Sequence, residues 1–443
     1  MFAIPDYINT ILTSLAARGH DAHIVGGCVR DFIIGTAPHD FDLATDALPS
    51  QVKDVFREFR IVETGIAHGT VTVIIENQPV EITTYRIDAE YTDNRRPESV
   101  TFTASLFEDT ARRDFTMNAL AYNSAVGVVD YHGGLGDIER KIIRCVGDAR
   151  ERFREDSLRI MRAVRFSSQL GFAIEDETLS AMRECAHLIS NISAERIEAE
   201  LRKLVCGADV RRVICDYADI LSAAVPEIAP MIAFDQRNPH HVHDVLTHSA
   251  IATENVAPAA HMRYAALLHD IGKPPTFAAD DNGVGHFYGH SKAGEEIADI
   301  IMARLKCDNQ TREKVKTLIR YHDAPPDNDR KAIKRKLNKL GAETFFDLLN
   351  LQRADNKAQN PNLLHRRSYF DEIESTAREI LAENECFSLK DLQINGNDLI
   401  ELNYRGKQIG EILNAALLAV IDEKVTNNRE TLLNHITKLY PPQ

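Results

Sequence analysis

The chain reads as an α+β multidomain protein in which a mixed head is followed by helices alone. Through about residue 146, apolar runs of strand period alternate with helical stretches. From Asp148 onward strand signals nearly vanish and helical periodicity dominates to the end. A length of 443 residues is also long for one core and suggests roughly two to four domains. The expected division is a head over 1–146, a neck over 147–235, a helical body over 236–370 and a tail over 371–443.

A first helix carrying Ile8, Ile11, Leu12 and Leu15 leads into a strand ending at Ile24-Val25. Gly26-Gly27 follows as a turn whose backbone N–H groups can approach an anion closely, with Arg30 one helical turn later. Asp40 and Asp42 alternate at strand spacing, so both carboxylates point to one side. Two such carboxylates repel unless a divalent cation lies between them, and Mg²⁺ with a phosphate chain is the usual occupant. A triphosphate cradle beside a carboxylate pair is what nucleotidyl transfer needs.

A short helix near Gln51–Phe59 precedes alternating strands at Thr70–Ile75 and Val80–Tyr85. Glu81 on the second strand is either a third carboxylate facing Asp40 and Asp42 or an exposed strand residue. Asp88–Pro97 reads as an exposed loop, and Asp130–Gly134 as a tight turn. The stretch Arg112-Arg113-Asp114-Phe115-Thr116-Met117-Asn118-Ala119 begins charged and turns apolar, as a helix docking its start at a site would. Arginines there suit phosphates, and Asp114 can accept from a ribose hydroxyl.

Glu155, Asp156 and Arg159 open a further helix, on which Arg162 and Arg165 follow at three-residue steps. An acceptor Asp156 beside a donor Arg159 can meet the Watson–Crick edge of a base while the later arginines reach phosphates. The same spacing also builds an ordinary intrahelical ion-pair ladder.

Bulk composition narrows the function classes. With 52 Lys and Arg against 66 Asp and Glu, a net charge of −14 argues against diffuse coating of nucleic acid. Local basic stripes remain, one over residues 140–165 and one at Arg330, Lys331, Lys334, Arg335, Lys336 and Lys339, able to hold a phosphate backbone at chosen places. Seven scattered cysteines with no C-x-x-C pair fit a reducing cytoplasm rather than a disulfide framework or a zinc knuckle. No apolar run reaches membrane-spanning length, and no leader pattern is evident, so a cytoplasmic protein without a membrane partner is expected.

The helical body holds a second set of polar residues. His248, His269, Asp270, His290, His322 and Asp355 fall on successive helical stretches, as a bundle-core metal site requires. His240, His241 and His243 compete for the first place, but Ile251 and Val256 give the stretch after His248 a face suited to the bundle. His286 competes similarly with His290.

Taken in order, Gly26-Gly27-x-x-Arg30-Asp31, Asp40-x-Asp42, Arg112-Arg113-Asp114-Phe115, the Gly133-Gly134-x-x-Asp137 turn and Glu155-Asp156-x-x-Arg159 resemble the class II tRNA nucleotidyltransferases. That family belongs with the bacterial poly(A) polymerases in the polymerase β-like superfamily. Glu195-Arg196-Ile197-Glu198-x-Glu200-Leu201 is similar to its neck helix, and residues 388–418 to its tRNA-binding tail. The resemblance implies a polymerase β-like head, an all-α neck, a helical body and a helical tail.

It further implies template-independent addition of CCA to tRNA from CTP and ATP. Asp40 and Asp42, with Glu81 as a candidate third carboxylate, would hold Mg²⁺ for attack of the RNA 3′-hydroxyl on the α-phosphate. Gly26, Gly27, Arg30 and Arg113 would contact the triphosphate. Asp156 and Arg159 would select the base, with Asp114, Arg162 and Arg165 supporting the nucleotide. A full-length loop at 88–97 is what enzymes completing CCA carry. His269-Asp270-Ile271-Gly272-Lys273 resembles the HD hydrolases, whose six-ligand version holds two divalent transition metals and would place Lys273 near a substrate phosphate. Such a module either hydrolyses phosphoesters or only shapes the RNA-binding body. Two rivals stay open: a poly(A) polymerase, and an HD phosphohydrolase with an RNA-binding head. Oligomeric state is not legible.

Overall fold

A computed structural model describes residues 2–38, 40–88, 100–362 and 367–441. The chain forms two compact units, Met1–Ala229 and Pro230–Gln443.

In the first unit, α1 (Asp6–Ala17) precedes β1 (Ala22–Val25), α2 (Gly27–Ile34), β2 (Asp42–Thr45), α3 (Pro49–Val55), β3 (Arg60–Val62), β4 (Thr70–Ile75) and β5 (Gln78–Thr84). There follow β6 (Arg86–Asp88), β7 (Val100–Phe102), α4 (Leu106–Ala111), β8 (Ala121–Asn123), β9 (Gly127–Val129) and α5 (Gly134–Arg140). Seven strands make one sheet in the order β3-β4-β5-β2-β1-β8-β9. Within this sheet only β2 and β5 pair in parallel, and their register sets Asp42 beside Glu81. Burial alternates strictly along β4, as a sheet with one covered face requires.

Helices α6 (Ala149–Glu155), α7 (Leu158–Leu170), α8 (Asp176–Cys185), α9 (Ala194–Val205), α10 (Val210–Asp216) and α11 (Ala218–Ala224) complete this unit. Head and neck therefore belong to one compact body. Asp148 caps α6 by accepting from the Arg150 and Glu151 amides, which fixes the point where the helical part begins.

The second unit runs through α12 (Val245–Glu254), α13 (Ala260–Leu268), α14 (Lys273–Thr276), α15 (His290–Arg304), α16 (Asn309–Tyr321), α17 (Arg330–Leu340) and α18 (Ala342–Ala358). It ends in α19 (Arg367–Ala382), α20 (Gly396–Glu401), α21 (Lys407–Ile421) and α22 (Arg429–Leu439). One apolar cluster joins α17, α18 and α19 through Ile333, Leu337, Phe345, Leu349 and Ile373. A separate one packs the tail around Leu399, Ile412, Leu417 and Leu432. No described helix is long and apolar enough to cross a membrane.

Three local expectations are corrected. Residues 112–119 do not form a helix: α4 ends at Ala111 and only a 3₁₀ turn, Thr116–Asn118, follows. Asp114 cannot continue a helical run because its carboxylate accepts from the adjacent Phe115 amide, a local bond that competes with helix. Glu155 and Arg159 do not share one helix either, since Asp156, at φ −139°, breaks the chain between α6 and α7. The basic stripe on α17 is spent internally. Arg330 pairs with Glu379, Glu383 and Glu385, Lys331 with Glu423, Lys334 with Glu385 and Arg335 with Asp422. Lys336 and Lys339 lie over the Tyr321 ring. The loop expected at 88–97 lies, beyond Asp88, outside the described residues.

Candidate functional site

The turn after β1 needs glycine. Gly26 adopts φ +82°, and a Cβ there would stand 3.0 Å from Arg113 Nη1. Gly27 opens α2, and one turn on Arg30 is buried with its guanidinium held by Asp31 at 2.7–2.9 Å and by the Asn118 side chain at 2.7 Å. A cavity of about 500 Å³ opens here, with Asp40 and Asp42 on its wall beside the guanidinium groups of Arg30, Arg113, Arg159, Arg162 and Arg165. Although Asp42 stays open to solvent, desolvation by the protein packed around it, then the neighbouring charges of Asp40 and Glu81, pushes its carboxyl up to about 6. That excess of close negative charge is the condition a divalent cation relieves, so these residues fit the metal that nucleotidyl transfer uses.

The arginines are fixed before any ligand arrives. Arg112 and Arg113 both anchor on the fully buried Asp109, at 2.8 and 3.3 Å. Arg162 donates to Asp114 through Nε and Nη2 at 2.8 and 2.6 Å. Asp114 is buried, yet Arg162 and Asn118 hold its carboxyl down at about 2. Both of its oxygens are engaged by protein donors, so it buttresses Arg162. Phe166, which the sequence reading did not single out, presents its ring to Arg30, Arg162 and Arg165 at 5.0, 5.4 and 3.8 Å.

Asp156 and Arg159 line the same cavity; the Arg159 amide donates to the Asp156 carbonyl oxygen at 3.0 Å, while among the described residues no hydrogen bond joins their side chains. Arg159 is anchored by Glu155 at 2.7 Å and by the Arg112 and Arg152 carbonyl oxygens at 2.9 and 3.2 Å. Asp156 accepts from the Leu158 amide through Oδ1 and from Arg196 of α9 through Oδ2. Arg196 was legible only as part of a helix motif; nothing in its spacing pointed to Asp156.

The second unit brings all six of its expected residues together. Asp270 Oδ2 lies 3.3 and 3.2 Å from Nε2 of His248 and His269, while Oδ1 faces His290 and His322 at 3.7 and 3.6 Å. Asp355 adds a contact of 2.9 Å to His248. His248, His269 and Asp270 make one group fit to hold a metal ion, and Asp270, His290 and His322 another, with Asp270 common to both.

The tautomers follow from the backbone. Nδ1 of His248, His269, His290 and His322 faces the carbonyl oxygen of Ala358, Ala266, Phe287 and Ile319, at 3.2, 2.8, 2.9 and 2.7 Å. Each Nδ1 therefore donates, which leaves Nε2 as the inward-facing nitrogen of each ring. His248 and His269 bring these nitrogens within 3.3 Å, and His290 and His322 within 3.2 Å. Nitrogens at that separation need a proton or a cation between them, and the inward-facing set of imidazoles and carboxylates fits a metal ion.

His286 is instead paired with Asp280 at 3.2 Å. His241 lies with its ring centroid 5.0 Å from that of His248 and contacts Lys273 at 3.3 Å. Lys273 lines a cavity with Asp270, His290 and His322, its buried ammonium held by Asp270 at 2.7 Å and Gln236 at 2.8 Å.

Comparison with known proteins places these features in context. Residues 22–144 match the poly A polymerase head domain, 171–230 the probable RNA and SrmB-binding site of polymerase A, and 287–436 the putative tRNA nucleotidyltransferase domain 2. The CCA-adding enzyme of Lactiplantibacillus plantarum is 34% identical over 426 residues, 96% of this chain and 94% of that one. That of Lactobacillus delbrueckii subsp. bulgaricus is 46% identical over 223 residues, 50% of this chain, so the match spans only 55% of that relative. Among solved structures, the Bacillus stearothermophilus CCA-adding enzyme in complex with CTP superposes with a TM-score of 0.75 at 29% identity, covering 98% of this chain and 96% of that one.

Proposed function

Because the chain belongs to the family of CCA-adding enzymes, we propose that its first unit adds CCA to the 3′ end of tRNA from CTP and ATP, without a nucleic-acid template. The observation that carries this reading is the single cavity in which Asp40 and Asp42 share a wall with the anchored arginines. Asp40 and Asp42 would hold Mg²⁺, with Glu81 contributing charge from the neighbouring strand. When bound, the metal supplies activation of the RNA 3′-hydroxyl and neutralises charge developing on the phosphates.

The chain's own groups do the rest. The Gly27 backbone amide, with Arg30 and Arg113, receives the triphosphate, Gly26 lines the wall while its own amide donates to the Leu120 carbonyl oxygen at 3.0 Å, and Arg162 and Arg165 extend that cationic wall. Asp156 accepts from an exocyclic amine while Arg159 donates to the ring nitrogen beside it. Cytosine and adenine offer that donor–acceptor order; uracil and guanine reverse it and would leave both protein groups facing like partners. Seven cysteines without C-x-x-C pairing support a cytoplasmic setting. Purified protein given tRNA ending at the discriminator base, with each labelled nucleotide alone and then together, tests the reading. Addition of CCA and no more supports it, whereas an extended A tract would favour a poly(A) polymerase.

A second activity is favoured by the inward-facing imidazoles of the second unit. His248, His269, Asp270, His290, His322 and Asp355 would hold two divalent transition metals in an HD-type body that hydrolyses phosphoesters. Loss of both metals but not of nucleotide addition in an Asp270→Ala variant would separate this site from the head, and would exclude a chain that is only an HD hydrolase.

A further inference from the structure

We propose that Arg196 is a positioning residue for nucleotide selection, aiming the acceptor carboxylate of Asp156 from a neighbouring helix. The inference rests on the reading of Asp156 and Arg159 as the base-selecting pair. Asp156 lies in the break between α6 and α7, its backbone held by the Arg152 carbonyl oxygen at 3.3 Å and the Arg159 amide at 3.0 Å, which leaves the side chain to be oriented separately. Its orientation is set by two contacts alone: the Leu158 amide on Oδ1 at 3.1 Å and Arg196 Nη2 on Oδ2 at 2.8 Å. The first ties the carboxylate to the start of α7, and the second fixes its rotation about the Cβ–Cγ bond. Each oxygen keeps a lone pair, so the bound Asp156 still accepts from a base while its direction is set.

α9 is built to hold that position. One turn beyond Arg196, Glu200 is buried and pairs with Arg165 at 2.5 Å. Positions i and i+4 share one helix face, so α9 grips both ends of the cavity-lining stretch of α7, Asp156 at its start and Arg165 two turns along. Leu201 and Leu204 on the same helix are buried, which makes α9 a rigid support rather than a flexible arm. Arg196 itself reaches the cavity wall. Without it Asp156 turns on one remaining bond, and an acceptor that can turn away no longer penalises the carbonyl oxygen of uracil.

The expected effect is on choice more than on speed. Losing one charge-assisted bond to the selecting acceptor should lower the CTP:UTP ratio of kcat/KM by about 10- to 100-fold. Arg196→Gln, Arg196→Lys and Asp156→Ala would be assayed on tRNA ending at the discriminator base, with CTP and UTP in separate reactions. Direct binding of each nucleotide would be followed by equilibrium dialysis, which reads selection independently of turnover and of residual folding defects. Arg196→Gln should blur selection in both readouts, and Arg196→Lys should restore part of it, because a lysine can still reach one oxygen. If Asp156→Ala blurs selection and Arg196→Gln does not, this role for Arg196 is wrong and the base-selecting pair stands. If neither variant blurs it, the pair itself is wrong. A uniform slowing on both nucleotides by Arg196→Gln, not relieved by lysine, would make Arg196 a structural residue only.

Discussion

Replacing Arg162 with methionine isolates the ion pair on which the cationic wall stands. Asp114 is 8% exposed and receives both Nε and Nη2 of Arg162 on one oxygen. Burial alone would raise its pKa, yet the carboxyl is held at about 2, with Arg162 the main cause and Asn118 the next. Against an unfolded value near 3.9, that depression corresponds to about 2–3 kcal/mol of stability. A carboxylate with a lowered folded pKa contributes this fully above pH ~4–5 and loses it as pH falls toward about 2.

Arg162→Met leaves the buried charge uncompensated and should cost the first unit about 3 kcal/mol at pH 7. The pH dependence identifies the cause. In the variant Asp114 is raised by burial and protonates early, so the gap between wild type and variant should narrow steadily from pH 5 to pH 3. Urea unfolding of both proteins at several pH values, followed by circular dichroism, gives that gap as a paired difference. A gap that stays constant over this range would mean that Arg162 contributes by packing alone, and the argument from the Asp114 pair would fail.

Three further outcomes are expected. Asp42→Ala should lower nucleotide addition by at least roughly 100-fold while leaving the unfolding midpoint within a few degrees, because it removes a metal-facing carboxylate and not a core contact; near-native incorporation in Mg²⁺ would refute the assignment. Gly26→Ala must place a Cβ 3.0 Å from Arg113 Nη1 at φ +82°, so it should destabilise by about 1–3 kcal/mol and raise the KM for CTP more than it lowers kcat. Finally, a His269→Ala, Asp270→Ala double variant should lose bound Ni²⁺ or Mn²⁺ by elemental analysis and any phosphoester hydrolysis, while CCA addition persists. Hydrolysis surviving in that variant would remove the second reading.

Local chemistry was readable where one short segment contains both the constraint and its consequence. The Gly26-Gly27 turn and Arg30 one turn later needed only the strand period before them and the helix period after. The six clustered residues of the second unit were legible because successive helical stretches, one of them carrying the adjacent His269 and Asp270, bring them to a common core. The start of the helical part near Asp148 was signalled by the loss of strand period there, and the structure adds the Asp148 cap. Two misreadings were local, where Asp114 and Asp156 interrupt an expected helix, and another arose where a side chain's partner lies far along the chain. The α17 stripe looked available to phosphate because its acidic partners, Glu379, Glu385, Asp422 and Glu423, are brought to it by α19 and the turn after α21.

By itself, then, the sequence determined which residues are candidates for each site and in what order they fall, since turn geometry, helix capping and charge spacing act within a few residues. Tertiary structure alone decided how those groups are held. Whether Glu81 lies beside Asp42 depends on the register of a parallel strand pair, which no local pattern encodes. Whether Asp114 serves a ligand or Arg162 depends on a contact 48 residues long. The aim of Asp156 depends on Arg196, 40 residues away. Electrostatic and hydrogen-bond partners are chosen by distance in space, and only the folded chain sets that distance.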